Sequence, residues 1–301
     1  MAVLIAGPTA SGKSALAVEL AEILGGPIVN ADSMQVYRDL RILTARPGPD
    51  EETAIPHALY GYVDGAVSYS VARWLSDIAP VLRSAQAGGA TPIIVGGTGL
   101  YLSALLEGLS PVPPVPDAVR THWRSVHTSE GSAALHAILS ARDPVMAARL
   151  HPSDPQRVMR ALEVLEATGQ SLAHWQQAKG EPLLAASEAQ RLVLTPERET
   201  LREAIAARFE AMVGVGGVEE AAALAARKLD PNLPVMKAIG VRPLAAYASG
   251  TLNKTAAIQQ AVTESRQYAK RQDTWFRNRF QAWPRATTAA GGLTILRSAA
   301  L

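Results

Sequence analysis

The segment Gly7-Pro8-Thr9-Ala10-Ser11-Gly12-Lys13-Ser14 constrains the fold of this chain more than any other feature. It fits the phosphate-loop pattern G-x-x-x-x-G-K-[ST] without a mismatch. The apolar run at 2–6 predicts a buried strand before it, and a helical pattern follows it as far as residue 24. In such a loop the backbone N–H groups and the positive end of the helix form a nest for an oligophosphate. We therefore expect a phosphate site, with Lys13 bridging phosphate oxygens and the Ser14 hydroxyl reaching Mg²⁺.

Two more short apolar runs, at 27–29 and 91–95, predict further strands. The first ends in Asn30-Ala31-Asp32-Ser33 and the second in Gly96-Gly97-Thr98-Gly99. Continuous apolar strands that alternate with helices are typical of a parallel sheet covered on both faces. The predicted fold class is therefore α/β, a parallel sheet of the P-loop NTPase type flanked by helices.

A proline-rich segment at 111–116 predicts a boundary, because proline can neither continue a helix nor pair in a central strand. The following segment has only helical patterns, and Asp154-Pro155 is a typical helix start. The strand-like run at 191–195 predicts a return to the sheet. We expect a core of residues 1–111 and 189–301 with an inserted all-helical lobe at 112–188.

The composition excludes several kinds of chemistry. The sequence contains no cysteine, so disulfides, thiol nucleophiles and thiolate metal sites are absent. No run approaches the ~18 apolar residues of a membrane span. The N-terminal residues lack the basic start and cleavage site of a signal peptide. We expect a cytoplasmic protein with no membrane partner.

Asp32 and Thr98 follow predicted strands, and ligands bind beyond the carboxyl ends of strands in such sheets. Both are therefore expected to face the phosphate site. A nucleoside triphosphatase would usually offer an apolar strand that ends in Asp to hold Mg²⁺, but the strand before Gly96 ends in glycines. A helix-capping role and a catalytic role for Asp32 remain equally open.

Basic residues concentrate near the C-terminus, with six Lys or Arg and one acid from Arg266 to Arg285. Arg266, Lys270 and Arg277 share one face of a predicted helix, with Tyr268 and Trp275 roughly opposite. A second basic pair, Arg157 and Arg160, lies in the predicted lobe. Both groups suit a nucleic-acid surface, and both also suit a solvated helix face.

Five segments in series resemble the motifs of one family. They are Gly7-Pro8-Thr9-Ala10-Ser11-Gly12-Lys13-Ser14, Asp32-Ser33-Met34-Gln35-Val36-Tyr37, Gly96-Gly97-Thr98-Gly99-Leu100-Tyr101, His151-Pro152 with Asp154-Pro155-Gln156-Arg157, and Lys270-Arg271-Gln272 with Thr274-Trp275. In this order and spacing the chain resembles the bacterial tRNA dimethylallyltransferases, also called tRNA isopentenyltransferases, over nearly its whole length.

The resemblance implies transfer of a dimethylallyl group from its diphosphate to N6 of the adenosine just 3′ of the anticodon, with release of diphosphate. It implies Mg²⁺ as cofactor, held through Ser14, and the catalytic residues Asp32, Thr98 and Lys13. Asp32 would accept the proton of the attacking amine, which is a weak nucleophile. The diphosphate-binding residues would be Gly7, Pro8, Thr9, Ala10, Ser11, Gly12, Lys13, Ser14 and Arg208.

The resemblance also implies that tRNA is the partner, bound through its anticodon loop. We expect the protein to be a monomer. The target adenine would have to be extruded from its stack to reach a buried site. The residues implied in binding tRNA are Asp32, Ser33, Met34, Gln35, Thr98, Arg120, Gln156, Arg157, Arg160, Gly240, Arg242, Lys270, Arg271, Gln272, Thr274, Trp275 and Arg277.

Two positions depart from the family pattern. Pro243 stands where many relatives have Gln, and it lacks both a side-chain amide and a backbone N–H. Arg46 replaces a family Lys, which keeps the charge but changes its geometry. Two other functions remain open from the residues: a P-loop small-molecule kinase, and an RNA-binding protein with a regulatory nucleotide site.

Overall fold

The computed structural model describes residues 1–178 and 180–298. The chain divides into two compact units. The first contains residues 1–106 with the described residues from 183 onward, and the second contains 107–182. No helix in these described ranges is both long and apolar enough to cross a bilayer.

The first unit is built on a sheet in which the described residues form six parallel strands. The strand order β3-β2-β4-β1-β5-β6 places β1 between β4 and β5. The strands are β1 (Ala2–Ala6), β2 (Ile28–Asn30), β3 (His57–Ala58), β4 (Ile93–Gly96), β5 (Ala189–Leu194) and β6 (Arg285–Ala286). This arrangement confirms the predicted fold class.

The helices flank the sheet or build the second unit. In chain order they are α1 (Lys13–Leu24), α2 (Pro49–Ala54), α3 (Val71–Ala87), α4 (Gly99–Glu107), α5 (Asp117–Arg142), α6 (Pro144–Ala147), α7 (Pro155–Thr168), α8 (Leu172–Trp175), α9 (Arg198–Gly214), α10 (Gly217–Ala226), α11 (Val241–Ala248), α12 (Lys254–Arg279) and α13 (Ala289–Ser298).

Strand β1 explains why both sheet faces are covered. All five of its residues are buried, and alternate side chains enter different cores. Leu4 packs in a core that contains Trp74 of α3 and Phe276 of α12, whereas Ile5 packs in a core that contains Leu16 of α1. The carboxyl ends of β1, β2 and β4 then lead into the phosphate loop, Asp32 and Thr98.

The predicted return strand is β5, which pairs in parallel with β1. The edge strands β3 and β6, of two residues each, were not predicted. Two residues are too few to show a period-2 pattern, so only the neighbouring strand makes these segments extended.

The second unit is helical around its own core, which includes Trp123, Leu139 and Leu162. Gly131, at a φ of 81°, breaks α5 into two helical halves. Asp154 caps α7 by accepting a hydrogen bond from the Arg157 N–H, and Gly169 ends that helix in a left-handed conformation. The predicted start of this helix at Asp154-Pro155 is therefore confirmed.

Candidate active site

The phosphate loop has the backbone shape of an anion nest. Ala10 and Gly12 have positive φ values of 62° and 84°, which turn successive N–H groups toward one side. Helix α1 begins at Lys13, and no side chain caps its first turn. The first N–H groups of this helix are consequently available to a bound anion.

An open pocket of about 540 Å³ lies against this loop. Its described lining contains four cations, Lys13, Arg41, Arg46 and Arg208, and no acidic residue. Part of the lining is apolar and is supplied by Ile42, Ala45, Ala211, Met212 and Val215. The pocket therefore combines a strongly cationic part with an apolar part, and its volume suits a small molecule.

Three buried polar atoms of this lining make no hydrogen bond to the described protein atoms: Ser11 Oγ, Arg41 Nη1 and Arg46 Nε. An unmade hydrogen bond on a buried donor costs about 1–3 kcal/mol, and more for a charged group. These atoms are almost inaccessible to solvent, so they lie behind the surface of the pocket, and the charges of its four cations are what favour an anionic ligand.

Lys13 lies deep in the site and donates a 3.2 Å hydrogen bond from Nζ to the Pro8 carbonyl oxygen. Burial lowers the pKa of its ammonium to about 8; the charge of Asp32 acts to raise that pKa, and the charge of Arg208 acts to lower it. A bound phosphate would favour the charged form, so this ammonium is electrostatically matched to an anion.

Arg208, on α9, approaches the phosphate loop and donates a long hydrogen bond of 3.4 Å to Thr9 Oγ1. Burial lowers the pKa of its guanidinium, and Asp32 opposes that shift. Both Lys13 and Arg208 therefore lie close enough to the Asp32 carboxylate to interact with its charge.

The Arg46 guanidinium is held by the surrounding backbone. Its Nη1 donates to the Tyr37 carbonyl oxygen at 3.2 Å, and a Cβ on Gly61 would overlap its guanidinium. Burial lowers the pKa of this group, with Glu52 among the acids that oppose the shift. The change from the family lysine thus gives a planar cation that fits against a glycine backbone.

The two carboxylate oxygens of Asp32 have different surroundings. Oδ1 accepts a 2.9 Å hydrogen bond from the Met34 N–H, and the Asp32 N–H donates to Asn30 Oδ1 at 2.7 Å. Oδ2 accepts no hydrogen bond from the described residues and lies 3.3 Å from the position of a Cβ on Gly97. One oxygen thus caps a turn, and the other is free to accept a proton.

Thr98 connects the two loops that follow β2 and β4. Its Oγ1 accepts a 2.9 Å hydrogen bond from the Ser33 N–H and donates to Ser33 Oγ at 3.2 Å. The phenol of Tyr268, on α12, lies near Thr98, and burial followed by the charge of Asp32 raises the pKa of this phenol. The structure therefore brings Asp32, Ser33, Thr98 and Tyr268 together.

Gln272 joins α12 to both glycine loops. Its Oε1 accepts a hydrogen bond from the Thr9 N–H at 2.9 Å, and its Nε2 donates to the Gly97 carbonyl oxygen at 2.9 Å. The side chain is buried. Neighbouring Trp275 packs so closely on Gly99 that a Cβ there would overlap its ring. These positions support an internal role for both residues, whereas the sequence suggested RNA contact.

Other predicted residues also hold the protein together. Gln35 Nε2 donates to the carbonyl oxygens of Thr44 and Ala45, at 2.9 and 3.1 Å. Gly240 is buried at the start of α11 with a φ of 89°, where a Cβ would lie 2.9 Å from the Phe209 ring. Arg242 is exposed.

Pro243 occupies the third position of α11. The first N–H groups of a helix have no partner within it, so a proline there removes no intrahelical hydrogen bond. The departure from the family pattern therefore does not interrupt this helix.

The remaining candidate RNA contacts are on the surface. In the first unit Lys270, Arg271, Thr274 and Arg277 are exposed on α12, and Arg277 pairs with Asp273 at 3.1 Å. In the second unit Gln156 is exposed, and each basic candidate forms an ion pair with an acid three residues away in the chain. These pairs are Arg120 with Asp117, Arg157 with Asp154 and Arg160 with Glu163.

Such exposed pairs are worth about 0–1 kcal/mol, so they leave the cations available to phosphate groups.

Ser14 is the predicted Mg²⁺ ligand. It lies at the start of α1 and lines the pocket. Within residues 1–178 and 180–298 no group of three or more His, Asp or Glu side chains could hold a metal alone. Mg²⁺ often takes one or two protein ligands and completes its shell with phosphate oxygens and water, so a single hydroxyl beside an anion nest fits this ion.

The sequence did not single out Arg41, Tyr268 or Glu220 as site residues. Arg41 lines the pocket, Tyr268 meets Thr98, and Glu220 binds the backbone of the loop that carries Arg41. Arg41 lies between two motifs and belongs to neither, so its sequence position does not mark it as a site residue. Only the folded chain shows that it lines the pocket.

The family model for IPP transferase matches residues 35–279, and the model for isopentenyl transferase matches residues 1–57. The chain belongs to the IPP transferase family.

A tRNA dimethylallyltransferase from Azorhizobium caulinodans is 53% identical over 296 residues, which cover 98% of this chain and 95% of the relative. The crystal structure of a full-length tRNA isopentenylpyrophosphate transferase from Bacillus halodurans is 34% identical, with a TM-score of 0.67 over 94% of this chain and 88% of that one. A eukaryotic dimethylallyltransferase acting on tRNA is 28% identical, with a TM-score of 0.77 over 91% and 69% of the two chains. These matches confirm the predicted class of enzyme, a tRNA dimethylallyltransferase.

Proposed function

We propose that this chain transfers a dimethylallyl group from dimethylallyl diphosphate to N6 of the adenosine 3′ of the anticodon in tRNA, releasing diphosphate. The observation that carries the proposal is the pocket at the phosphate loop, where four cations adjoin an apolar wall. A diphosphate esterified to a short branched hydrocarbon has the same two parts.

The diphosphate would lie in the nest, and the five-carbon group would lie toward Ile42, Met212 and Val215. Breaking the bond between the allylic carbon and its oxygen leaves negative charge on the diphosphate. Fixed cations and N–H groups stabilise that charge as it develops. Lys13, Arg41, Arg46 and Arg208 supply the cations, and the first turn of α1 supplies N–H groups.

Mg²⁺ would be held through Ser14 and the phosphate oxygens. When bound, it would neutralise part of the diphosphate charge and so make the leaving group better.

Asp32 is positioned to accept the proton. Its Oδ1 maintains the turn to Met34, while Oδ2 remains open. As the new bond forms between N6 and the allylic carbon, the amine must lose one proton, and a nearby carboxylate is a suitable acceptor. Thr98 and Ser33 hold this loop in place.

The tRNA would present its flipped adenine to the loop from Asp32 to Gln35, with further RNA contacts from exposed residues of both units. In the first unit these are on α12, and in the second they are on α5 and α7. We therefore assign RNA binding to the inserted lobe in addition to the core, which follows from its exposed cations and from the matched relatives that act on tRNA.

Titration with two ligands separates this function from that of a small-molecule kinase. In the presence of Mg²⁺, dimethylallyl diphosphate is expected to bind without RNA, and ATP is expected to bind more weakly or not at all. Preferential binding of ATP, with phosphate transfer to a small molecule, would favour the kinase. Binding of tRNA without any change in its mass would favour a regulatory RNA-binding protein.

A cytoplasmic location and a monomeric state complete the proposal. Sedimentation at concentrations that span the activity assay measures the oligomeric state.

A further inference from the structure

The loop between β2 and α2 carries Arg41, Ile42 and Arg46 to the wall of the pocket. Because this segment has no helix or strand, its backbone needs another support. Glu220, on α10, provides one: its carboxylate accepts hydrogen bonds from the N–H groups of Arg41, Ile42 and Leu43, the last two at 2.9 and 2.8 Å.

The contact between α10 and this loop extends beyond the carboxylate. A Cβ on Gly217, the first residue of α10, would lie 3.2 Å from the Leu43 side chain, so that helix end and Leu43 are in close contact. Beyond the other end of α10, Arg227 forms an ion pair with Asp39. The helix therefore holds the loop at two points, on either side of Leu40.

The cations that the loop carries are the ones that need this support. Arg41 Nη1 and Arg46 Nε are buried without a partner, and burial lowers the pKa of Arg46 while the charge of Glu220 opposes that shift. The cations of a pocket can bind an anion without rearrangement only if the backbone that carries them is fixed before the ligand arrives.

We propose that Glu220 is a positioning residue for the diphosphate pocket, and this inference rests on the proposed function. Glu220 touches the backbone of the loop and does not line the pocket. It acts by fixing three consecutive N–H groups, which sets where Arg41 and Ile42 enter the pocket.

Titration of dimethylallyl diphosphate with Mg²⁺, without RNA, tests the proposal in the wild type, Glu220→Gln and the matched control Glu219→Gln. Glu219 lies one residue earlier on the same helix and is exposed. An amide keeps the shape but offers one acceptor oxygen in place of two. We therefore expect the Kd of Glu220→Gln to rise about tenfold, since charge-assisted hydrogen bonds are roughly twice as strong as neutral ones. Glu219→Gln is expected to match the wild type.

A double-mutant cycle with Arg41→Ala distinguishes positioning from general stability. If Glu220 acts through Arg41, the loss of affinity in the double variant will be smaller than the sum of the losses in Glu220→Gln and Arg41→Ala. In steady state Glu220→Gln is expected to raise the KM for dimethylallyl diphosphate and to lower kcat, because Arg41 also stabilises the leaving diphosphate. Its tRNA affinity is expected to stay close to wild type.

Wild-type affinity in Glu220→Gln, or fully additive losses in the cycle, would overturn the proposal. If Glu220→Gln does not fold, Glu220→Asp replaces it, because it keeps the charge and shortens the reach. An unchanged Kd in that variant would also count against positioning. Failure of the wild type itself to bind dimethylallyl diphosphate would instead reject the proposed function.

Discussion

The Gln272 side chain occupies the space that a side chain on Gly97 would need: a Cβ there would lie 2.1 Å from Gln272 Nε2. The same amide group binds the Gly97 carbonyl oxygen and the Thr9 N–H. One buried glutamine of α12 therefore fixes the distance between the phosphate loop and the loop that carries Thr98. The places proposed for the two substrates are joined through this residue.

Gln272→Leu is expected to destabilise the protein and to weaken diphosphate binding. It leaves the Thr9 N–H and the Gly97 carbonyl oxygen without their partner, and each unsatisfied buried group costs about 1–3 kcal/mol. Urea unfolding measures the stability, and titration with dimethylallyl diphosphate measures the affinity. Gln267→Leu, at an exposed position of the same helix, is the control and is expected to change neither quantity. If the free energy of unfolding of Gln272→Leu equals that of the wild type, the hydrogen bonds of Gln272 do not stabilise the protein.

Lys13→Ala is expected to abolish measurable diphosphate binding and to leave tRNA affinity nearly intact. Lys13 faces the ligand pocket, so the loss removes a cation without opening the core. Filter binding of tRNA and titration of the diphosphate check the two halves of this prediction. An equal loss of tRNA affinity would contradict it.

The lowered pKa of Lys13 also predicts a pH dependence. Below about pH 8 the ammonium is charged and attracts the diphosphate; as the pH rises through that value the free enzyme loses the charge. The Kd for dimethylallyl diphosphate is therefore expected to rise between pH 7 and pH 9. Lys13→Arg keeps its charge over this range, so the pH profile of its Kd is expected to be flat. If the Kd of the wild type is equally independent of pH, the charge of Lys13 does not determine the affinity for dimethylallyl diphosphate.

Asp32→Asn tests the proton acceptor. The amide oxygen can still accept the Met34 N–H, so the turn is expected to persist. We expect turnover to fall by roughly 10²-fold or more, because general-base catalysis contributes about that factor. Affinity for dimethylallyl diphosphate is expected to survive. Near wild-type turnover would leave Asp32 with only its capping role.

The RNA contacts are tested by a salt series. If Arg160 and Arg277 each contact a phosphate group, replacing either by Ala is expected to weaken tRNA binding and to reduce the slope of log affinity against log salt by about one counterion. Arg83→Ala, at an exposed position on α3, serves as the control. Unchanged slopes in the first two variants would show that these basic faces are merely solvated.

The fold was predictable because its central features are local. The five buried residues of β1, the phosphate loop and the start of α1 follow one another in the chain, so their patterns are visible in the sequence. The helix start at Asp154 was predictable for the same reason. Edge strands of two residues contain too little sequence to show a pattern, and their neighbours determine them.

The site was predictable only in part. Lys13 and Ser14 belong to a motif whose shape requires them, and Asp32 follows a strand. Arg41 and Glu220 belong to no pattern and are 179 residues apart, so their contact exists only after the chain has folded. Gln272 shows a different limit of sequence-based prediction. Its motif was recognised, but its buried side chain joins the two glycine loops inside the protein, whereas the motif suggested RNA contact.

Mass spectrometry of tRNA nucleosides is the most direct test of the central claim. Unmodified tRNA is incubated with the wild-type protein, Mg²⁺ and dimethylallyl diphosphate, and then digested to nucleosides. We expect one adenosine to gain the mass of a dimethylallyl group in place of a hydrogen, at the position 3′ of the anticodon, with diphosphate released in equal amount. Lys13→Ala is expected to yield unmodified adenosine. Unmodified adenosine from the wild type, under conditions where both substrates bind, would contradict the account.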